Sequence, residues 1–515
     1  MSFIAKQKIK GNIYLYRVES YWDSEKKQSR QKRTYLGPEN RKYSSKKIKK
    51  AEIVHKKYGN VFLLQKILEE TEIEKVVQNL FPNNYNEIIA LAFYQICSGE
   101  PMYLFPQWLH EQSGIDSKSL HSAEISSLCE SIGTSQIKLQ NFFQEWIKIQ
   151  DKNMEIYYDI TSISSYSTNI EFIEWGYNRD KEKLPQLNMG IACTKNGTPL
   201  FYQTYPGSIP DVKTLKNILK LLTFYNIDNA TIILDRGFCS KANILEMNKL
   251  KDKIKFIQPM TFSMKKTIDV LKSNRKKLKK INSAIKYKEE ILHYTNDSID
   301  LDDTSFNAHL FYNEKIETDL RNDLLSKLLE IFAPFKDRKF TTMKDYLEFR
   351  NAGIPEKYRN FFKINREENS IELNHRNINS YLIKSGYFIL LSNSDKLNKT
   401  NILEHYRDRD IVEKLFEIEK NDLDSSRLRA HTQYNSDGRL FIKFIALILY
   451  NKISTYMKKN KLFDCYSLKE VLKELSKIRC SIYGKETVLS EVSKTQRKIL
   501  KAFDLLPEML EKHSY

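Results

Sequence analysis

The strongest constraint on the fold lies after residue 154, where helical periodicity gives way to an ordered series of short strands and helices. Residues 155–160 are a β-branched and aromatic run that ends in Thr161-Ser162. Residues 187–193 and 200–205 are two further strands, joined by the turn Lys195-Asn196-Gly197. Residues 211–225 have helical period. Residues 230–235 are an apolar run closed by an aspartate, the pattern of a strand buried on both faces. A helix over 241–250 and a strand over 254–258 follow. The order β, β, β, α, β, α, β predicts a mixed sheet covered by helices, an α/β fold.

The flanking segments read differently. Residues 12–22 and 28–36 are two strands about a polar turn at 23–27, stopped by Gly37-Pro38. A very basic stretch covers 41–50. Residues 60–150 are helical, with apolar periodicity in 61–80, 85–98, 102–112 and 136–150. Residues 261–385 interrupt the α/β pattern with a Lys-rich helix over 264–281, short strands near Ile291 and Leu310, and more helix. A strand over 387–391 resumes it, and 424–515 is helical, with a long amphipathic helix over 438–457. The expected organisation is a basic β-hairpin segment for DNA (1–60), a helical DNA-binding or dimerisation region (61–150), a core in two parts (151–260 and 386–425), an inserted α/β domain between them (261–385), and a helical C-terminal region (426–515).

The chain has 515 residues and a net charge of +19. Residues 1–50 hold fifteen Lys and Arg against four Asp and Glu, +11 of that total. Aromatic residues alternate through them (Tyr14, Tyr16, Tyr21, Trp22, Tyr35), which a solubilising tail does not need. This balance points to a polyanionic partner. The six cysteines are scattered without a CxxC pair, which excludes a zinc ribbon and a disulfide framework and predicts reduced thiols. No run of 18 apolar residues and no apolar leader occurs, so the expectation is a soluble, cytoplasmic protein with no membrane partner.

The chemistry concentrates in Tyr406-Arg407-Asp408-Arg409-Asp410-Ile411-Val412-Glu413 and its continuation through Lys420. The segment lacks Gly and Pro and reads as one helix. At about 100° per residue, Tyr406, Arg409, Glu413 and Lys420 fall within about a sixth of its circumference. Ile411, Val412, Leu415 and Ile418 point the other way. Taken alone, such a helix is a solvated face with i,i+4 ion pairs such as Arg409 with Glu413. Asp159 and Asp235, each closing an apolar strand, change the odds. Strand-end carboxylates together with a helical one build an oxygen-only metal site at a sheet edge. Such a set suits Mg²⁺ or Mn²⁺, and two ions would activate water or a 3′-hydroxyl and stabilise the leaving oxygen. Cations beside the carboxylate suit phosphates. No histidine is required; His405 and His431 lie near the key segments and read as structural.

The spacing Tyr406, two residues, Arg409, three residues, Glu413, six residues, Lys420 resembles the Y-(2)-R-(3)-E-(6)-K signature of DDE transposases of the IS4-related insertion sequences. Tyr158-Asp159-Ile160-Thr161-Ser162 is similar to the family's first-Asp block. Gly176-Tyr177-Asn178-Arg179-Asp180, Leu184-Pro185-Gln186, Pro206-Gly207-Ser208 and Asp211-Val212-Lys213-Thr214-Leu215 fit the blocks that follow, with Ser208 where Asn is frequent. Leu234-Asp235-Arg236-Gly237-Phe238 resembles the second-Asp block. Gly438-Arg439-Leu440-Phe441-Ile442 resembles the helix downstream of the Glu, and the N-terminal hairpin ending in Tyr35-Leu36-Gly37 is like the IS1634 subgroup. The resemblance implies an RNase H-like catalytic core with Asp159, Asp235 and Glu413 as catalytic metal ligands for two Mg²⁺ or Mn²⁺ ions. Tyr406, Arg409 and Lys420 would contact DNA phosphates near the scissile bond. It implies binding of an element's terminal inverted repeats in double-stranded DNA, cleavage of its ends and transfer of the 3′-hydroxyls into target DNA. It also implies a homodimer in a synaptic complex, in a bacterial cytoplasm and on the nucleoid when bound.

Two other readings share parts of this pattern. A stand-alone nuclease or resolvase on the same fold keeps the carboxylates but needs neither the insertion nor the basic N-terminus. A transposase-derived DNA-binding repressor without chemistry needs no carboxylates. In related families where excision passes through a DNA hairpin, an aromatic in the insertion holds a flipped base; Phe262, Tyr287 and Tyr294 are the candidates here, with core packing as the plainer role of each.

Overall fold

A computed structural model of the chain describes residues 2–39, 54–151, 154–336, 338–424, 427–483 and 486–511. The basic stretch over 41–50 lies outside the described residues. The chain divides into two compact units, Met1–His55 with Ser481–Val488, and Lys56–Cys480 with Leu489–Tyr515.

The first unit carries an antiparallel sheet in the order β1 (Ser2–Ile9), β2 (Asn12–Asp23), β3 (Gln28–Pro38). The expected hairpin is β2–β3, and β1 is an addition to it. A two-residue turn makes β1 fold back: Lys10 and Gly11 both take positive φ (48° and 84°), with Ile9 opposite Asn12. Cross-strand partners share a face, so the register separates two surfaces. Tyr16 lies opposite Ala5 and Tyr35, and the Tyr14, Tyr16 and Tyr35 rings pack together on one face. Lys6, Lys8, Arg17, Arg30 and Lys32 fall on the other.

A short strand β4 (Val54–Lys57) runs across the division into the second unit, which continues with helices Gly59–Thr71, Ile73–Leu80, Tyr85–Ser98, Phe105–His110, Ser122–Thr134 and Gln136–Lys148. The strands that follow are β5 (Glu155–Ser164), β6 (Gln186–Thr194), β7 (Pro199–Pro206), β8 (Ala230–Ile233), β9 (Ile254–Pro259), β10 (Ala284–Tyr287), β11 (Glu290–Leu301) and β12 (Thr304–Tyr312). After the two-stranded hairpin β13 (Phe362–Asn365) and β14 (Ser370–Leu373) comes β15 (Tyr387–Ser392). Nine of these strands form one sheet in the order β10-β11-β12-β15-β9-β8-β5-β6-β7. The β5–β8 and β8–β9 pairings are parallel and the others antiparallel. The mixed α/β architecture read from the element order is therefore present.

Three details differ from the sequence reading. First, β5 does not end at Asp159. It runs to Ser164, because Thr161 to Ser164 stay paired with Met189 to Gln186 and their hydroxyls find partners: Ser162 Oγ lies 3.3 Å from Asn188 Oδ1, and Asn178 donates to Ser164 Oγ at 3.0 Å. Second, residues 261–385 are of two kinds. Strands β10–β12 extend the large sheet, while helices Glu314–Phe332, Met343–Gly353 and His375–Leu382 and the β13–β14 hairpin gather around their own apolar cluster of Leu324, Leu328, Phe340, Tyr346, Ile354, Phe362, Ile371 and Ile378. Third, the helix Gln433–Lys459 is not one-sided: residues Leu440 to Tyr450 are buried without interruption. It is long and apolar enough to cross a membrane, yet 83% of that window is buried inside the protein, where it acts as a core helix.

Candidate active site

The β5–β8 register brings two carboxylates together. Tyr157 lies opposite Ile233 on the parallel neighbour. Asp159 and Asp235 each stand two residues further on, so both project to the same face from strands about 4.8 Å apart. Asp235 keeps an extended backbone (φ −84°, ψ 166°) before the Arg236–Phe238 turn. The Gln258 amide of β9 donates to the Asp235 carbonyl at 2.9 Å and fixes that turn against the sheet.

The Glu413 segment is not the single straight helix its composition suggests. Helix Lys399–Arg407 ends at Asp408, helix Asp410–Glu417 begins after Arg409, and residues Ile418–Asp422 widen into a π turn. No Gly or Pro marks these breaks. The expected column of four side chains is therefore divided. Arg409 and Glu413 remain together, with Arg409 Nη2 2.9 Å from Glu413 Oε1. The other arm of the guanidinium pairs with Asp235. Tyr406 stacks on Phe388 of β15 (centroids 6.1 Å apart), and its ring centre is 5.9 Å from the Arg409 guanidinium. Lys420, carried round by the π turn, donates to Asp180 Oδ2 at 2.6 Å and is only 13% exposed.

Arg409 thus stands between the two acids brought by β8 and by the helix, with Asp159 in electrostatic reach. Loss of solvent pushes the Asp159 carboxyl up to about 7, and the neighbouring Asp235 adds to this, while the Ile160 N–H, Arg409 and Arg179 pull it back. Burial works against the Arg409 charge, but the acids around it, Asp235 foremost, hold its pKa above the ordinary value. Among the described residues no group of three or more His, Cys, Asp or Glu stands at metal-holding spacing. Asp235 and Glu413 pair with one guanidinium instead, and Asp159 lies within its electrostatic reach. An all-oxygen, anionic set organised around a positive centre fits a hard divalent cation of the Mg²⁺ class, and these three side chains would hold it.

In the sequence the loop between β5 and β6 reads only as a motif block, and its residues carry much of the support. Arg179 donates to Ser162 Oγ at 3.2 Å and pairs with Asp211. Asp180 holds Lys420. Gln186 bonds the Tyr177 carbonyl at 2.8 Å, and Arg427 reaches Glu182 at 3.3 Å. Two glycines allow the loop to lie down: a Cβ on Gly176 would meet the Gly207 carbonyl oxygen at 1.9 Å, and one on Gly207 would meet that of Gln186 at 2.0 Å. The signal for these roles was the clustering of Gly, Asn, Arg and Asp within ten residues.

The remaining sequence candidates are placed as follows. His405 lies 3.5 Å from Glu155 at the start of β5, away from the three carboxylates, which suits the structural role read for it. Tyr294 bonds His309 within the sheet at 3.0 Å, and Tyr287 lies on β10 beneath Lys288. Phe262 reaches the neighbourhood of the site, lining a cavity of about 450 Å³ with Arg236, Phe388 and Tyr406.

A family model described as Transposase DDE domain matches residues 152–449. That span begins at β5, ends in the long helix, covers more than half of the chain and contains every residue of the site. No curated protein matches. Among solved structures, a cryo-EM structure of a piggyBac transposase synaptic complex with hairpin DNA is similar over 87% of this chain and 76% of that chain, at 11% identity and a TM-score of 0.36.

Proposed function

The chain belongs to the transposase DDE domain family, and from that premise we propose that it mobilises an insertion sequence of the IS4-related group, IS1634-like subgroup. It would bind the terminal inverted repeats, cut the element's ends and transfer the 3′-hydroxyls into target DNA. The observation that carries this reading is that Asp235, just past β8, and Glu413, on the following helix, both pair with the Arg409 guanidinium, with Asp159 of the neighbouring strand β5 in its electrostatic reach. The strand order β7-β6-β5-β8-β9, with β7–β6 and β6–β5 antiparallel and β5–β8 and β8–β9 parallel, supports an RNase H-like core.

In the reaction, Asp159, Asp235 and Glu413 would hold two divalent cations. When bound, these would supply the charge that activates water or a 3′-hydroxyl and stabilises the leaving oxygen. The chain's own residues do the rest. Arg409 and Lys420 would grip phosphates flanking the scissile bond, Arg409 by its planar fork. Tyr406, held by Phe388, would pack on a sugar or donate its hydroxyl. The cationic face of the β1–β3 sheet would meet the duplex backbone, the helices between Gly59 and Lys148 would give sequence preference or dimer contacts, and two copies would synapse two ends.

The test is a supercoiled plasmid carrying the element's inverted repeats, incubated with the protein in Mg²⁺. Cuts confined to the repeat ends, followed by joined products in a second plasmid, are expected. Cuts scattered without regard to the repeats, with no joined product, would favour a stand-alone nuclease. Binding of the repeats without cutting would favour a repressor.

A further inference from the structure

We propose that Arg409 is a removable counter-ion: it occupies the carboxylates in the DNA-free protein, and binding of a DNA end withdraws it so that divalent cations enter a site DNA has opened. This rests on the metal-site reading given above.

Four observations point the same way. One guanidinium bridges Asp235 and Glu413 and is itself only 21% exposed, so it is held at both acids rather than extended into solvent. Among the described residues, Asp159, Asp235 and Glu413 do not form a group at metal-holding spacing in this arrangement. A cation at contact with two of the ligands repels a divalent ion at the same place, so guanidinium and metal compete. Arg409 also sits in the break between helices Lys399–Arg407 and Asp410–Glu417, outside the body of either helix.

The pattern extends beyond Arg409. Lys420 is held by Asp180, Arg179 by Asp211 and Arg427 by Glu182. Each of these cations, which a phosphate would attract, is paired with an acid of the chain itself. A phosphodiester offers the guanidinium a bidentate partner and so draws Arg409 away. Release of Asp235 and Glu413 raises the site's affinity for a divalent cation. By linkage, the cation then raises affinity for the DNA end by the same factor. Metal loading would follow DNA loading, and the free protein would hold its metals weakly.

The experiment measures Mn²⁺ binding by calorimetry and by electron paramagnetic resonance, without DNA, for the wild type, Arg409→Gln, Arg409→Lys and Asp235→Asn. A pre-cleaved end duplex is then added, with its own Mn²⁺ uptake subtracted. The expected result is weak binding by the free wild type and at least about tenfold tighter binding by Arg409→Gln. Arg409→Lys, which keeps the charge, should stay near the wild type. The duplex should tighten the wild type and leave Arg409→Gln little changed. Should Arg409→Gln fail to fold, Arg409→Met, which keeps the stem, carries the same expectation. Equal Mn²⁺ affinity of the free wild type and the neutral variants, with Asp235→Asn deficient, would overturn the counter-ion role while leaving the metal site standing. Mn²⁺ binding unaffected by Asp235→Asn would remove the metal site itself.

Discussion

Asp159 on β5 and Asp235, just past the end of the parallel strand β8, each stand two residues beyond the paired Tyr157 and Ile233. Their proximity is a property of strand register, since a one-residue slip would turn one carboxylate to the opposite face. The buried residues of β5 and of the short strand β8 hold that register.

The burial of Asp159 has a measurable consequence for stability. Its carboxyl is raised from 3.8 to about 7. Below pH of about 4 it is protonated in both the folded and unfolded chains and contributes nothing. As pH rises, the unfolded chain releases its proton first, so stability falls through this window, and the penalty is complete above about 7. In EDTA, Asp159→Asn should therefore melt above the wild type at pH 8, with the gap closing as pH falls to about 4. A gap that does not change with pH would show that Asp159 titrates as an ordinary carboxylate.

The Lys420–Asp180 pair gives a second test. With Asp180 44% exposed, the pair stabilises the fold by about 1 kcal/mol or less. Lys420→Ala should leave the melting temperature nearly unchanged, weaken binding of cleaved ends and lower the salt slope by about one. Asp180→Ala, which frees Lys420, should tighten end binding. Loss of stability in Lys420→Ala, restored by Lys420→Met, would assign the lysine to packing instead.

The cationic face of the N-terminal sheet predicts a steeper effect. Replacing Lys6, Lys8, Arg17 and Lys32 together by Gln should weaken binding and reduce the slope of log affinity against log salt by about 0.9 for each DNA phosphate that is no longer neutralised. The aromatic face, where Tyr14, Tyr16 and Tyr35 pack, is left intact, so melting should change little. An unchanged slope would assign the sheet to something other than DNA.

The sequence made the order of core elements readable because each strand and helix between β5 and β9 announces itself locally, by β-branched runs, an Asn-Gly turn and 3.6-residue periodicity. Asp235 at a strand's end and Glu413 on a helix were readable for the same reason. What was hidden depends on distant partners. The polar residues Thr161 to Ser164 look like the end of a strand, and they extend β5 only because β6 and the loop at Asn178 satisfy them. The placing of β15 between β9 and β12 joins β15 to β9, a segment more than a hundred residues earlier. The break at Asp408 and Arg409 has no Gly or Pro to mark it. It accompanies a guanidinium drawn to Asp235, a residue 174 positions earlier.

The most direct measurement compares end cleavage and end binding for Asp159→Asn, Asp235→Asn and Glu413→Gln, using a supercoiled donor in Mg²⁺ and a labelled end duplex. Each substitution removes a charged metal ligand and should lower cleavage and strand transfer by at least about a hundredfold, while binding, carried by phosphate contacts elsewhere, stays within a few-fold of the wild type. Wild-type cleavage by any one of the three variants would take that residue out of the site and contradict the three-carboxylate reading.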